Sequence, residues 1–437
     1  MEYLLAADPV APIGARPLLL FLLQCGLLLA LAWVLGGLSR RCGLPTLVGE
    51  LLAGVLLGPS VLGHALPDLQ HWLFPADPDQ FHMLDAAGQL GVLILVGITG
   101  VHIDGQLMRR HGLDAMRISV SSFVIPLALG IGAALLIPAS QIPASADRAT
   151  LALFLGVVMG VSAIPVIAKI LLELRLIHHK IGQLTLCTVM GNDIAGWLLL
   201  SVVAAMATSG AHGRGIAISI AFLILTLAAA FALRPIVRIG FRAAAGGPEH
   251  YATIGLAVAL ILLSAAATQA MTLEAVFGAF VCGMVISSCG AFDPAHIAAL
   301  RTTTMSVLAP LFFATAGLRV DLGVLAQPVV CVLGIALLVV AIVGKLLGGY
   351  LGARMSRFGH WEGVAIGAAV NARGVVEIVI AMVGLRLGVL SPELFTIVVM
   401  IAIVTSVMTA PLLRAAMARV EREEATRVAG QTAGKTV

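Results

Sequence analysis

Charged residues are scarce in this sequence: 11% of 437 positions, against 60% hydrophobic residues and a mean hydropathy of +1.07. Soluble globular domains carry roughly a quarter of their residues charged, so a soluble domain is excluded and an integral membrane protein is implied. A basic stripe is also missing. The net charge of +4 is spread in small groups between apolar runs, which excludes a nucleic-acid surface and leaves those groups as topology signals. Six cysteines (Cys25, Cys42, Cys187, Cys282, Cys289 and Cys331) lie in or beside apolar segments, with no C-x-x-C pair and no companion histidine spacing. That pattern excludes a disulfide framework and a zinc site. The start of the chain lacks a basic n-region and a short h-region with a cleavage site. Glu2 and Asp8 precede a long apolar run from Pro17, so the first span is expected to be retained.

What is present is a series of apolar runs. A membrane-spanning helix needs roughly 20 apolar residues, and the polar and Pro/Gly punctuation cuts the chain into thirteen such candidates. They run over 17–38, 44–63, 83–103, 114–138, 149–172, 181–207, 215–240, 251–270, 272–289, 302–319, 326–351, 362–386 and 393–417. Arg40, Arg41, Arg109, Arg110, Arg117, Arg175, Lys180, Arg234, Arg238, Arg242, Arg301, Arg354 and Arg357 fall on one side of this arrangement. The tail residues Arg414, Arg419, Arg422, Arg427 and Lys435 join them. The other side holds Arg16, Arg148, Arg214, Arg319 and Arg386, with Asp68, Asp77 and Asp79 in its first loop. The positive-inside rule makes the richer side cytoplasmic. The N-terminus is then outside and the C-terminus inside, as an odd number of spans requires.

Two patterns recur at an offset of seven spans. Spans two and nine share a Gly, four residues, Gly spacing at Gly49 and Gly54 and at Gly278 and Gly283. Spans three and ten end in Gly100-Val101-His102-Ile103-Asp104 and Gly317-Leu318-Arg319-Val320-Asp321. An odd offset inverts the second copy relative to the first, the signature of inverted-topology repeats. The expected organisation is a first repeat over 1–213 (spans one to six), a linker span over 214–250, a second repeat over 251–420 and a charged tail over 421–437.

The same offset pairs spans five and twelve, and each is interrupted. Span five contains Gly160-Val161-Ser162-Ala163-Ile164-Pro165, where Pro165 lacks a backbone donor and disfavours helix before it. Span twelve contains Asn371-Ala372-Arg373-Gly374, polar, charged and weakened by a glycine. Interrupted helices at matching places in inverted halves mark a midplane site, since unwound backbone coordinates ions and half-helix ends present dipoles.

The polar residues gather in the same spans. Asn192 and Asp193 sit near the centre of span six, in an otherwise uncharged apolar helix. A carboxyl group at that depth is costly without a partner, which makes Asp193 a transport or proton-handling residue by default. Ser162 and Arg373 are central in their spans, so at ~1.5 Å per residue the three depths agree within a few ångströms. Lys345, in span eleven among Gly344, Gly348 and Gly349, and Glu377 are expected nearer the span ends, within reach of that level. At a spacing of i, i+4 Arg373 and Glu377 are expected to pair locally. A carboxylate in a cavity opened alternately to each side binds either a proton or a monovalent cation, and each excludes the other. Oxygen donors from Asp193, Asn192, Ser162 and freed carbonyls suit Na+ or K+. Glu50 and Glu274 are expected at interfaces or against other helices, Lys169 to snorkel, and His64, His71, His82, His178, His179 and His212 at loops or span ends.

Several segments resemble the Kef-type and related members of the second family of monovalent cation:proton antiporters. They are the run from Leu44-Pro45-Thr46 through Gly49-Glu50 to Gly58-Pro59, Gly191-Asn192-Asp193-Ile194, Pro310 to Leu318, Gly344-Lys345-Leu346-Leu347-Gly348, and Asn371-Ala372-Arg373-Gly374-Val375-Val376-Glu377. The resemblance implies an all-α membrane protein with the Na+/H+ antiporter fold. Two discontinuous helices cross in its core domain, a second domain dimerises, and the core moves like an elevator. It assigns Asp193 to the essential ion- and proton-binding position and Lys345 to the core lysine. Electrogenic members resemble one another in a second Asp before the essential one. Here that position is Asn192, which favours electroneutral exchange. Kef-type efflux systems also carry a long nucleotide-binding domain, whereas this chain ends about twenty residues after span thirteen, so nucleotide control within it is not expected.

The expected activity is thus exchange of Na+ or K+ for H+ in a cell membrane by a homodimer that needs no cofactor. The rivals are an organic-anion symporter with Arg373 as a carboxylate clamp, and a cation channel. An intramembrane aspartyl protease would need a second Asp at membrane depth, which the sequence lacks.

Overall fold

A computed structural model describes residues 13–75, 77–101, 105–176, 179–209, 213–244, 251–271, 273–289 and 297–433. Every regular element among them is helical. In chain order the helices are α1 (Ala15–Arg41), α2 (Thr46–Leu57), α3 (Leu62–Ala65), α4 (Pro67–Leu73), α5 (Pro78–Val101) and α6 (Gly105–Leu135). There follow α7 (Arg148–Gly160), α8 (Ile164–Glu173), α9 (Lys180–Ser209), α10 (Gly213–Ala244), α11 (Tyr251–Ala270) and α12 (Ala275–Ser288). The chain continues with α13 (Ala298–Thr303), α14 (Ala309–Gly317), α15 (Pro328–Met355), α16 (His360–Val370), α17 (Val375–Arg386) and α18 (Pro392–Ala433). Apolar surroundings leave the backbone no partner but itself, which is why long apolar runs become helices here. Their ends follow local chemistry. The Asp147 carboxylate caps α7 by accepting from the Thr150 N–H at 2.5 Å, and Gly43, at φ +73°, turns the chain between α1 and α2.

Nine helical stretches among the described residues are long and apolar enough to cross a membrane, and the bent pair α16–α17 makes a tenth. The other three of the thirteen expected segments are helical but shorter: α7–α8, α12, and α13–α14 with a π-turn over Thr304–Leu308 between its two pieces. Residues 102–104 of one recurring string, as well as His178 and His212, lie outside the described residues.

The helices pack as two bundles. One contains α1, α2, α5, α11, α12 and α14; the other contains α6 to α9 and α15 to α18; α10 touches α9, α11 and α12. The recurring glycines make reciprocal contacts. A methyl at Gly49 would lie 2.3 Å from the backbone of Leu35 in α1, and one at Gly278 would lie 2.4 Å from that of Ser264 in α11. One at Gly54 would meet the Ala314 carbonyl of α14 at 1.9 Å, and one at Gly283 would meet the Gly97 carbonyl of α5 at 2.1 Å. Helices one, two and ten of the expected series thus touch as eight, nine and three do. Hydrogen there lets backbones approach to a distance that any side chain forbids.

Candidate functional site at two crossed helix breaks

The interruptions expected in spans five and twelve are both present, and they meet. The first leaves residues 161–163 non-helical between α7 and α8, and the second leaves 371–374 between α16 and α17, which are bent by 46°. The Ala163 N–H donates to the Ala372 carbonyl at 3.0 Å, tying one break to the other. Pro165 follows the first break, at the second residue of α8, where a missing donor costs little. In the second, Gly374 adopts φ +157° and ψ −112°, and a Cβ there would lie 2.7 Å from Val166 Cγ2. Only glycine fits this position without strain.

Ending α7 early leaves carbonyls unpaired at its C-terminus, and basic side chains take them up. The Arg373 guanidinium donates to the Val158 carbonyl at 2.7 Å and the Met159 carbonyl at 2.8 Å. Lys345 Nζ donates to the Gly160 carbonyl and, at 2.7 Å, to Ser162 Oγ. Ser162 in turn donates to the Val370 carbonyl at the end of α16, at 2.8 Å. Positive charge at a helix C-terminus is favourable both as a hydrogen bond and against the dipole. All three side chains are wholly buried.

Two expectations about these residues change. The Arg373 and Glu377 charges act on each other, but no hydrogen bond or ion-pair contact joins the two side chains as helical spacing would have it. The break removes Arg373 from α17, so i, i+4 geometry does not apply, and its fork turns to α7. Glu377 lies in the first turn of α17, where its Oε2 accepts the Gly374 N–H at 2.7 Å. Lys345 lies well inside α15 rather than towards a span end, and its ammonium meets the crossing.

Asp193, on α9, is completely buried, and neither carboxylate oxygen has a hydrogen-bond partner. Glu377 and Lys345 are the charges that act on it. Both amide atoms of Asn371 and Oε1 of Glu377 are likewise buried and unpartnered. Asn192 is held differently. In the orientation that matches donors to acceptors, its Nδ2 donates to the Ser119 carbonyl at 3.0 Å and its Oδ1 accepts from Ser122 Oγ at 3.1 Å. The amide thus faces α6, while its neighbour in sequence is left with free acceptors.

Sequence reasoning passed over Ser119 and Ser122, which fix Asn192, and Ser406 of α18, whose hydroxyl donates to the Arg373 carbonyl. The signal was available in Ser119-Val120-Ser121-Ser122, a polar cluster inside an apolar span. Glu274 is found just before α12, joined to Arg386 at the far end of α17 in an ion pair between the two bundles.

Comparison with known proteins fits this geometry. The family model described as sodium/hydrogen exchanger, transmembrane, matches residues 26–415. The chain belongs to that family. As a member of the exchanger family it is 32% identical over 408 residues to the Na(+)/H(+) antiporter NhaS4 of Synechocystis, covering 90% of this chain and 96% of that one. It is 30% identical over 414 residues to Cation/H(+) antiporter 20 of Arabidopsis thaliana, covering 91% of this chain and 48% of that protein. With K(+)/H(+) antiporter 1 of Saccharomyces cerevisiae it shares 28% identity over 413 residues, 91% of this chain and 46% of the yeast protein. The chain spans about half the length of these plant and yeast relatives. Its fold is similar to that of the sodium proton antiporter MjNhaP1 from Methanocaldococcus jannaschii, with a TM-score of 0.72 at 16% identity over 92% of this chain and 99% of the other. A multi-pass membrane protein of the exchanger family accounts for the apolar composition.

Proposed function

We propose that this chain exchanges a monovalent cation, Na+ or K+, for protons across a cell membrane by alternating access, with Asp193 as the carrier. The observation that carries this reading is a fully buried carboxylate, without a hydrogen-bond partner, beside two crossed helix breaks. Such a group is tolerable when it holds a proton or a cation, and the two compete for the same oxygens. The unpartnered oxygens of Asn371 and Glu377 and the carbonyls at the breaks are further hard donors for a dehydrating alkali cation. Lys345, Arg373 and Ser162 support the site by holding the break carbonyls.

One carboxylate per cycle exchanges one cation for one proton. Asn192, a neutral amide fixed by Ser119 and Ser122, adds no second titrating charge, which supports electroneutral exchange. The organic-anion reading loses its central group, because both terminal nitrogens of Arg373 are bound to backbone carbonyls. The same reading takes the thirteen segments as spans, with the N-terminus outside, the C-terminus in the cytoplasm and two inverted six-span repeats joined by α10. The reciprocal glycine contacts support that symmetry. It further takes two copies to associate, supported by the largely unburied apolar faces of α1 and α10.

The test is collapse of a preset pH gradient in proteoliposomes on addition of Li+, Na+, K+ or Rb+. Wild-type protein is expected to respond to at least Na+ or K+ with saturation, and Asp193→Asn to fall to the protein-free rate. Full activity in that variant sinks the mechanism, and an unsaturable cation current points to a channel. Asn192→Asp is expected to make exchange respond to an imposed membrane potential that leaves the wild type unchanged.

A further inference from the structure

A cavity of ≈ 130 Å³ lies between the two bundles. It has room for a few waters. Thr46, Glu50 and Lys169 line it towards the end of the molecule that carries Arg40, Arg41 and Arg175, and Val166, Val375 and Ser406 line it towards the breaks. Val166 lies in the first turn of α8 and Val375 opens α17, the half-helices that follow the two breaks, and Ser406 holds the Arg373 carbonyl. One cavity therefore connects the basic end of the molecule with both interrupted helices.

Glu50 is the only carboxylate among its lining residues. The side chain is half-buried on α2, outside the crossing and on the opposite bundle from it. Its stem lies beside Gly36 of α1, one turn along α2 from Thr46. Two positive charges face it from neighbouring elements, Lys169 of α8 and Arg40 of α1. A carboxylate with two positive side chains acting on it makes a poor resting place for an alkali cation, which both groups repel. Protonation of Glu50 adds the same single positive charge, but a proton passes along hydrogen-bonded water and needs no shell of several oxygen ligands, which an alkali cation demands.

We propose that Glu50 is the proton-transfer residue of this cavity, passing protons between the basic end of the molecule and Asp193. In the balanced step, an O–H bond of protonated Asp193 breaks, water passing between the crossing and the cavity carries the proton, and a new O–H bond forms on Glu50. Glu50 then releases the proton to the aqueous side, and Asp193 is left ionised for the cation. The inference rests on the antiport reading for its physiological direction, but the protonation of Glu50 can be tested without it.

Two measurements decide it. In proteoliposomes, Glu50→Gln is expected to lower the maximal exchange rate roughly tenfold or more, with the apparent KM for the cation within about twofold of wild type. Glu50→Asp and added formate, a small diffusible acid, are each expected to restore the rate. Wild-type rates in Glu50→Gln, or a loss that neither remedy restores, overturn the proposal. In pH-difference infrared spectra of the Asp193→Asn protein, a carboxyl C=O band is expected that disappears in the Asp193→Asn/Glu50→Gln double variant. Identical spectra from the two proteins overturn it as well. Failure of wild-type exchange with that band present counts against antiport and leaves Glu50 as a proton-exchanging group.

Discussion

The two interrupted helices occupy matching places and are built from opposite chemistry. The break between α7 and α8 reads Val161-Ser162-Ala163, with no charge. The break between α16 and α17 reads Asn371-Ala372-Arg373-Gly374, with a guanidinium, an amide and a glycine at φ +157°. The first break leaves three carbonyls, and basic side chains from α15 and the second break cover them. The second break leaves the Val370 and Ala372 carbonyls, and the first covers them with one hydroxyl and one backbone N–H. Their far ends differ too. Arg386 at the end of α17 is paired with Glu274 of the other bundle, whereas Lys169 in α8 lines the cavity beside Glu50. A pseudo-symmetric backbone thus carries an asymmetric set of charges, and the positive groups that steady the crossing come from the second half of the chain.

The largest blow to this division of labour comes from Arg373→Ala. It strips two buried carbonyls of charged donors, and at about 1.5 to 3 kcal/mol each the expected loss is at least 3 kcal/mol. The thermal midpoint of the detergent-solubilised protein reads it. Arg373→Lys, which keeps the charge but loses the fork, is expected to fall between the two. A midpoint equal to wild type in Arg373→Ala means that the second break does not support the first.

Arg386→Gln tests the far end of α17. Glu274 is 3% exposed, and without its partner it becomes a buried unpaired carboxylate. Loss of a fully buried partner costs about 3 to 5 kcal/mol. The Arg386 side chain is 42% exposed, so solvent screening reduces the expected loss to about 1 to 2 kcal/mol. Arg386→Gln combined with Glu274→Gln is expected to recover most of it, and equal midpoints for the single and double variants rule out the coupling.

The smallest expected effect is that of Ser162→Ala, which removes the neutral break's one side-chain bond to α16 and one of the two acceptors of Lys345. About 1 kcal/mol is expected, because Lys345 keeps the Gly160 carbonyl. A loss as large as that of Arg373→Ala would erase the asymmetry between the breaks.

Much of this molecule was legible from one sequence because membrane-depth polarity is rare. Asp193, Asn192, Lys345, Arg373 and the two breaks stand out against apolar neighbours, and in the structure they lie in or around one crossing. Partners were less legible. Helical spacing paired Arg373 with Glu377, but that rule holds only inside a continuous helix, and the break lies between them. Ser119, Ser122 and Ser406 carry no strong signal as single residues, and their roles depend on facing a particular amide or carbonyl.

By itself, the sequence determined the apolar segments, the places where helices must stop, and which costly groups lie at membrane depth. Those follow from local chemistry: backbone that must bond to itself, Gly and Pro at the interruptions, and a carboxylate among aliphatic side chains. Only the tertiary structure decided who satisfies whom. Residues more than two hundred positions apart, such as Arg373 and Val158, meet because two broken helices cross. No periodicity along the chain encodes a distance between helices.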